Sequence, residues 1–185
     1  PLIAGRLDDE VVRALRDTAA LLSDLGHTVV EREIDLRPRD MPVIVSLMLR
    51  GIRDIVRSVD RPQRLERRTR AMARPGALVP DPLVDRLQDA EQRIAARIGR
   101  LWDDIDVLLM PIMARPAVRA QVMEGRGALT TWQWQTGWVP FGVLWNSTGQ
   151  PAASVPAGFS RDGLPLAVQL VGAPYQERTL LALAG

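Results

Sequence analysis

Residues 145–172 read WNSTGQPAASVPAGFSRDGLPLAVQLVG, and their only formal charges are Arg161 and Asp162, in a chain that is 25% charged. Both charges fall in SRDG, residues 160–163, where Asp-Gly is a strong turn signal. On either side, AASVPAGF (152–159) and LPLAVQLVGA (164–173) run apolar with little polar alternation. That is the pattern of strands buried on both faces. A sheet with such strands needs helices over each face, and strands interspersed with long helices give an α/β architecture.

The rest of the chain supplies those helices. Asp8 can cap a helix carrying Leu7, Val11, Leu15, Leu22 and Leu25 near one face, with Asp9 and Glu10 at its positive end and Gly26 as a left-handed stop. HTVVEREI (27–34) is β-branched enough to predict a strand. Two prolines in DLRPRDMP (35–42) break the pattern, and residues 43–59 read as helical, weakened by Gly51. Asp81-Pro82 reads as a cap followed by a first-turn proline, opening a helix with Leu83, Leu87, Ile94, Ile98 and Leu101 on one side. DVLLMP (106–111) predicts a buried strand, residues 112–131 a loop, and the segment after Gln176 a last helix.

The length of 185 residues and a hydrophobic content of 46% suit one domain with one core. The pI near 10.2 is a weak sign of nucleic acid. The net charge is only +2 and no lysine occurs, so little titrates between the carboxylates and the guanidinium groups. With no cysteine there is no disulfide and no thiolate metal site, which permits a reducing cytoplasm, the expected location. No apolar run approaches the roughly 20 residues that span a bilayer, so no membrane partner is expected. A start at Pro1 without Met suggests a chain cut from something longer.

Nucleophilic catalysis needs an activated Ser, Thr or Cys beside a base. Without Lys or Cys, a self-contained triad would have to use His27, which follows a helix-ending glycine and is expected to face solvent. Neither Ser147 nor Ser154 lies in a G-x-S-x-G elbow. Asp103, Asp104 and Asp106 could pair as carboxylates, but acids at a helix-to-strand junction are ordinarily solvated. Six arginines between 61 and 74, against the single acid Glu66, could bind phosphate or form a solvated helix face. Trp132, Trp134, Trp138, Phe141 and Trp145 could line an apolar pocket or fill a core. Asn146, Thr148 and Gln150, beside the strands, each need a partner or a ligand.

The segment from Trp145 onward closely resembles the C-terminal portion of the amidase signature family. The resemblance is carried by Asn146, by Gly149, Gln150, Pro151 and Ala152, by Ser154, Val155 and Pro156, by Gly163, Leu164 and Pro165, and by Gln169 to Gly172. DVLLMPIMARPA is similar to the family's Asp-Val-Leu-Leu-x-Pro segment, with Ile112 where a Thr is often found. The likeness runs from about Leu7 to the end and is weakest between Pro38 and Gly76. It implies a hydrolase of carboxamide C–N bonds that uses a Ser nucleophile, a bridging Ser and a Lys base, all in the upstream half and none placeable here.

The resemblance therefore implies an α/β fold contributing part of a mixed central sheet covered by helices on both faces. It makes residues 1–185 the C-terminal part of an amidase domain, with 38–76 a variable helical insertion. This chain alone is expected to be inactive and to carry no catalytic residue, with no metal and no cofactor. Trp138, Phe141, Trp145 and Asn146 are the expected substrate-pocket residues. The expected partners are a small-molecule amide in the intact protein and the upstream catalytic half, with a homo-oligomer compatible and nucleic acid not expected. The rival readings are a non-catalytic binding or scaffold protein that keeps half the fold, and part of the A subunit of a tRNA-dependent amidotransferase.

Overall fold

The computed structural model describes residues 7–185. In chain order it contains α1 (Asp9–Asp24), α2 (Asp40–Ser58), α3 (Arg67–Ala73), α4 (Asp81–Gly99), β1 (Val107–Pro111), α5 (Ala128–Trp138), α6 (Gly142–Thr148), β2 (Ala152–Phe159), β3 (Pro165–Gly172) and α7 (Glu177–Ala184). The sheet has the order β1-β3-β2, with both pairings antiparallel. The fold is α/β, with helices against both faces of the sheet.

The hairpin forms as its sequence dictates. Ser160 N–H donates to the Leu164 carbonyl at 2.8 Å, and the Ser160 hydroxyl accepts from Leu164 N–H at 3.0 Å. Gly163, at φ +74, takes the left-handed turn conformation that side chains resist. β3 is the central strand, and alternation sends its side chains to two faces. Leu166 meets Val11 and Ala14 of α1 on one face. On the other, Val171 packs with Ile44 of α2, Ile94 and Ile98 of α4, and Leu144 and Trp145 of α6.

α1 begins as expected, with the Asp8 carboxylate accepting from Glu10 N–H at 2.9 Å. It ends in a Schellman arrangement: Gly26 N–H donates to the Ser23 carbonyl and His27 N–H to the Leu22 carbonyl, each at 3.0 Å. A buried ion pair ties α2 to α4. Asp40, only 3% exposed, accepts from Arg37 N–H at 2.7 Å and from the Arg97 guanidinium. Gly76 lets the turn after α3 touch α2, because a Cβ there would lie 2.3 Å from the Leu49 carbonyl oxygen.

Several expectations are corrected. Residues 27–34 form no strand: Val29 and Val30 are 44% and 46% exposed, and no neighbour among the described residues pairs with them. β-branched composition supplies the propensity for a strand, but pairing decides. β2 is not buried on both faces, since its even-numbered residues are exposed, and β1 is half-buried apart from Pro111. α2 starts at Asp40, ahead of the predicted Val43, because Pro42 is tolerated in a first turn. Asp81 does not cap α4; Pro80 holds that position, and the Asp81 carboxylate accepts from Arg50 at 2.7 Å. The loop ends at Gly127, since Ala128 already opens α5.

Candidate functional site

The residues singled out in the sequence lie on α5, α6 and the turns beside them. Trp145 is 2% exposed within the core, its indole Nε1 3.1 Å from Met110 Sδ on β1. Phe141, 8% exposed, immediately precedes α6. Trp138 closes α5, donating from Nε1 to the Pro116 carbonyl at 3.0 Å and so pinning the loop that follows β1. It stacks on Trp134, with centroids 5.3 Å apart and planes 10° from parallel. Arg115 lies over Trp138 and Arg126 over Trp134, at 5.5 and 4.8 Å from the ring centroids. Asn146 is exposed, so the four residues present different faces: Trp145 turns inward and Asn146 outward from the same short helix.

The side chains of Thr148 and Gln150 touch. The Thr148 hydroxyl bonds the Leu144 carbonyl at 2.8 Å and contacts the side-chain oxygen of Gln150, itself 8% exposed. Gly149, at φ +77, ends α6 and turns the chain into β2. Gln169 of β3 is different: it is 7% exposed and its Oε1 has no hydrogen-bond partner among the described residues. Glu91 of α4 is half-buried, and burial raises its carboxyl above the ordinary value while the neighbouring Ser147 hydroxyl works the other way.

The other candidates are dispersed. His27 is exposed behind α1, and Asp103, Asp104 and Asp106 are all exposed. The arginine segment is divided between a short turn at Pro62–Arg64 and α3, and all but Arg68 are exposed. Arg68 belongs to a feature that sequence reasoning missed, a cleft of about 380 Å³ between α2, α3 and α5. Ala128, Thr131, Trp132 and Gln135 line it from α5. Their i, i+3, i+4, i+7 spacing is readable in the sequence once residues 128–138 are read as a helix. No described helix is long and apolar enough to cross a membrane.

The fold agrees with the comparisons to known proteins. The Amidase family model matches residues 3–181. The chain belongs to the amidase family. It is 42% identical over 179 residues to AmiB2 of Mycobacterium tuberculosis (strain ATCC 25618 / H37Rv), whose amidase designation is provisional; that match covers 97% of this chain and 39% of that protein. Over 45 residues it is 53% identical to the A subunit of the glutamyl-tRNA(Gln) amidotransferase of Beijerinckia indica, covering 24% of this chain and 9% of that one. Among solved structures it is similar to 6-aminohexanoate cyclic dimer hydrolase complexed with substrate, with a TM-score of 0.76 and 26% identity, over 100% of this chain and 42% of that one. The chain thus spans about two fifths of the length of AmiB2 and of the cyclic dimer hydrolase chain.

Proposed function

We propose that this chain is the C-terminal part of an amidase-type hydrolase that cleaves carboxamide C–N bonds. It supplies β1, β3 and β2 with their covering helices, while the nucleophile and the lysine base lie upstream of Pro1. The observation that carries this reading is the family match over residues 3–181 in a chain covering 39% of a full-length relative. Residues 1–185 are then one continuous part of the amidase domain, 38–76 its variable helical insertion, and the cytoplasm its location.

Serine attack on an amide requires a base positioned to take the hydroxyl proton, and loss of that base costs about 10²–10⁴-fold in rate. This chain has no lysine, and its one histidine, His27, is exposed. Within the proposal, Trp138, Phe141 and Asn146 face the substrate side and Trp145 backs them from the core. The loop held by the Trp138 bond to Pro116 supplies the remaining wall.

The test compares the complete native polypeptide, identified by its intact mass and upstream sequence, with purified residues 1–185. The complete protein should release ammonia or amine from carboxamides, and residues 1–185 alone should release none. Turnover by the short chain that persists in Ser154→Ala would overturn the division of labour. A native chain beginning at Pro1 would overturn the hydrolase reading itself.

A further inference from the structure

The cleft between α2, α3 and α5 is lined by apolar and polar side chains, and its one cation and one anion balance. Ile52 of α2, Met72 of α3, Met123 of the loop, and Ala128 and Trp132 of α5 form its apolar walls. Its cation is already occupied. Arg68 Nε and Nη2 donate to Glu66 Oε1 at 3.0 and 2.5 Å, and Nη1 donates to the Met123 carbonyl at 2.8 Å, latching the loop onto α3. A charged molecule entering here would lose its hydration without gaining a free counter-charge.

Of the uncharged polar residues on the wall, Thr69, Thr131 and Gln135, it is Thr131 whose polar atom is buried. Thr131 lines the cleft, and its hydroxyl oxygen is buried without a hydrogen-bond partner among the described residues. A threonine hydroxyl offers one donor and two acceptor positions, and leaving it unused in a buried site is unfavourable. A rotation of about 120° about χ1, to another staggered position, is what would carry the hydroxyl toward the cleft. α5 has no fully buried residue although it carries Trp132, Trp134 and Trp138. The volume of about 380 Å³ falls within the ~300–1,000 Å³ of small-molecule pockets.

From this juxtaposition we infer that the cleft binds an uncharged small molecule with an apolar body, seated against Trp132, Met72 and Met123, and one carbonyl or carboxamide group hydrogen-bonded to Thr131. Binding follows from the cleft alone. Identifying the molecule with the substrate of the hydrolase rests on the function proposed above.

The experiment uses the complete native polypeptide and 4-phenyl-2-butanone, a neutral probe with one carbonyl and no amide bond to cleave, followed by calorimetry. The ketone should bind, and 3-phenylpropanoate, of similar size but charged, should bind at least about tenfold more weakly. Thr131→Val should weaken the ketone by roughly two- to tenfold and Thr131→Ser should restore it. Ala128→Trp, which fills the cleft, should abolish binding. Absence of ketone binding, undiminished binding in Ala128→Trp, or tighter binding of the carboxylate each overturns the site, whatever the amide turnover. Ketone binding lost in Ala128→Trp together with amide turnover supports the site and makes it the substrate's. Binding lost with turnover unchanged supports the site and separates it from the substrate. Binding without any amide turnover leaves the site standing and removes the hydrolase reading alone.

Discussion

The two strands of the hairpin are nearly equally apolar in sequence, yet they live in different surroundings. β3 has β1 on one side and β2 on the other, α1 over one face and the α2, α4 and α6 core over its opposite face, and from Val168 to Gly172 every residue is buried. Among the described residues β2 has one neighbouring strand, and Ala152, Ser154, Pro156 and Phe159 are exposed, the last at 69%. An apolar strand left open on one face and along one edge is a surface that other elements pair with or cover. The difference teaches that strand composition reports a capacity for burial, while position in the sheet decides how much of it the chain itself fulfils. Under the proposed function, the upstream half takes the place beside β2.

The sharpest test of the closed side is its buried ion pair. Asp40→Ala removes the carboxylate from Arg97, whose side chain is 11% exposed and whose remaining partner, Asp35 at 3.4 Å, is about half exposed. Leaving a buried guanidinium without its partner should cost about 3–5 kcal/mol. Urea unfolding measures it, and a loss under about 1 kcal/mol, the scale of a surface pair, would mean that this side is as open to water as the other.

The strands themselves can be set against each other next. Leu170 of β3 is 3% exposed and pairs in register with Ala153 of β2. Leu170→Ala should cost about 2–5 kcal/mol, from lost burial and the cavity left behind. Ser154→Ala on β2 should stay within about 0.5 kcal/mol, since Ser154 is exposed and lies outside both buried clusters. Equal losses at the two positions would break the comparison. If Ser154→Ala becomes costly only in the complete native polypeptide, the comparison is sharpened, because the open face is then covered there.

The same contrast explains which parts of the molecule are legible in the sequence. The hairpin, its Asp-Gly turn, α1 with its cap and left-handed stop, and the buried positions Ile94 and Ile98 of α4 can be read because their signals are local: turn chemistry, capping residues and helical spacing. What failed depended on partners distant in the sequence. Residues 27–34 have the composition of a strand and no strand beside them, and Asp81 is drawn from its capping role by Arg50, 31 residues away. For the candidate site, Trp145 and Phe141 are legible as large rings, but whether each faces core or cleft depends on how α5 and α6 are set against β1 and α3. The Arg68 latch to Met123 spans 55 residues, and nothing near either residue announces it.

The smallest expected effect concerns pH, and it separates the interior from the rim. At the rim, Asp35 and Asp81 have carboxyls held below their ordinary value of 3.8, in each case first by a hydrogen bond from arginine, Arg37 and Arg50 respectively. Their contribution is present above 3.8 and is lost as pH falls through the lower folded values. Glu91 has the opposite sign. Burial between α4 and α6 raises its carboxyl above 4.5, so the folded state holds the proton more tightly than the unfolded chain does. Its contribution is full below 4.5 and declines as pH rises through the folded value. Glu91→Gln removes this ionisation and should flatten that decline while leaving the acid limb of Asp35 and Asp81 in place. The measurement is the urea midpoint of both proteins across a pH series from below 4.5 to neutrality. Parallel profiles would show that Glu91 titrates as a solvated acid, which would place the α4–α6 contact with the open surfaces of the molecule rather than with its core.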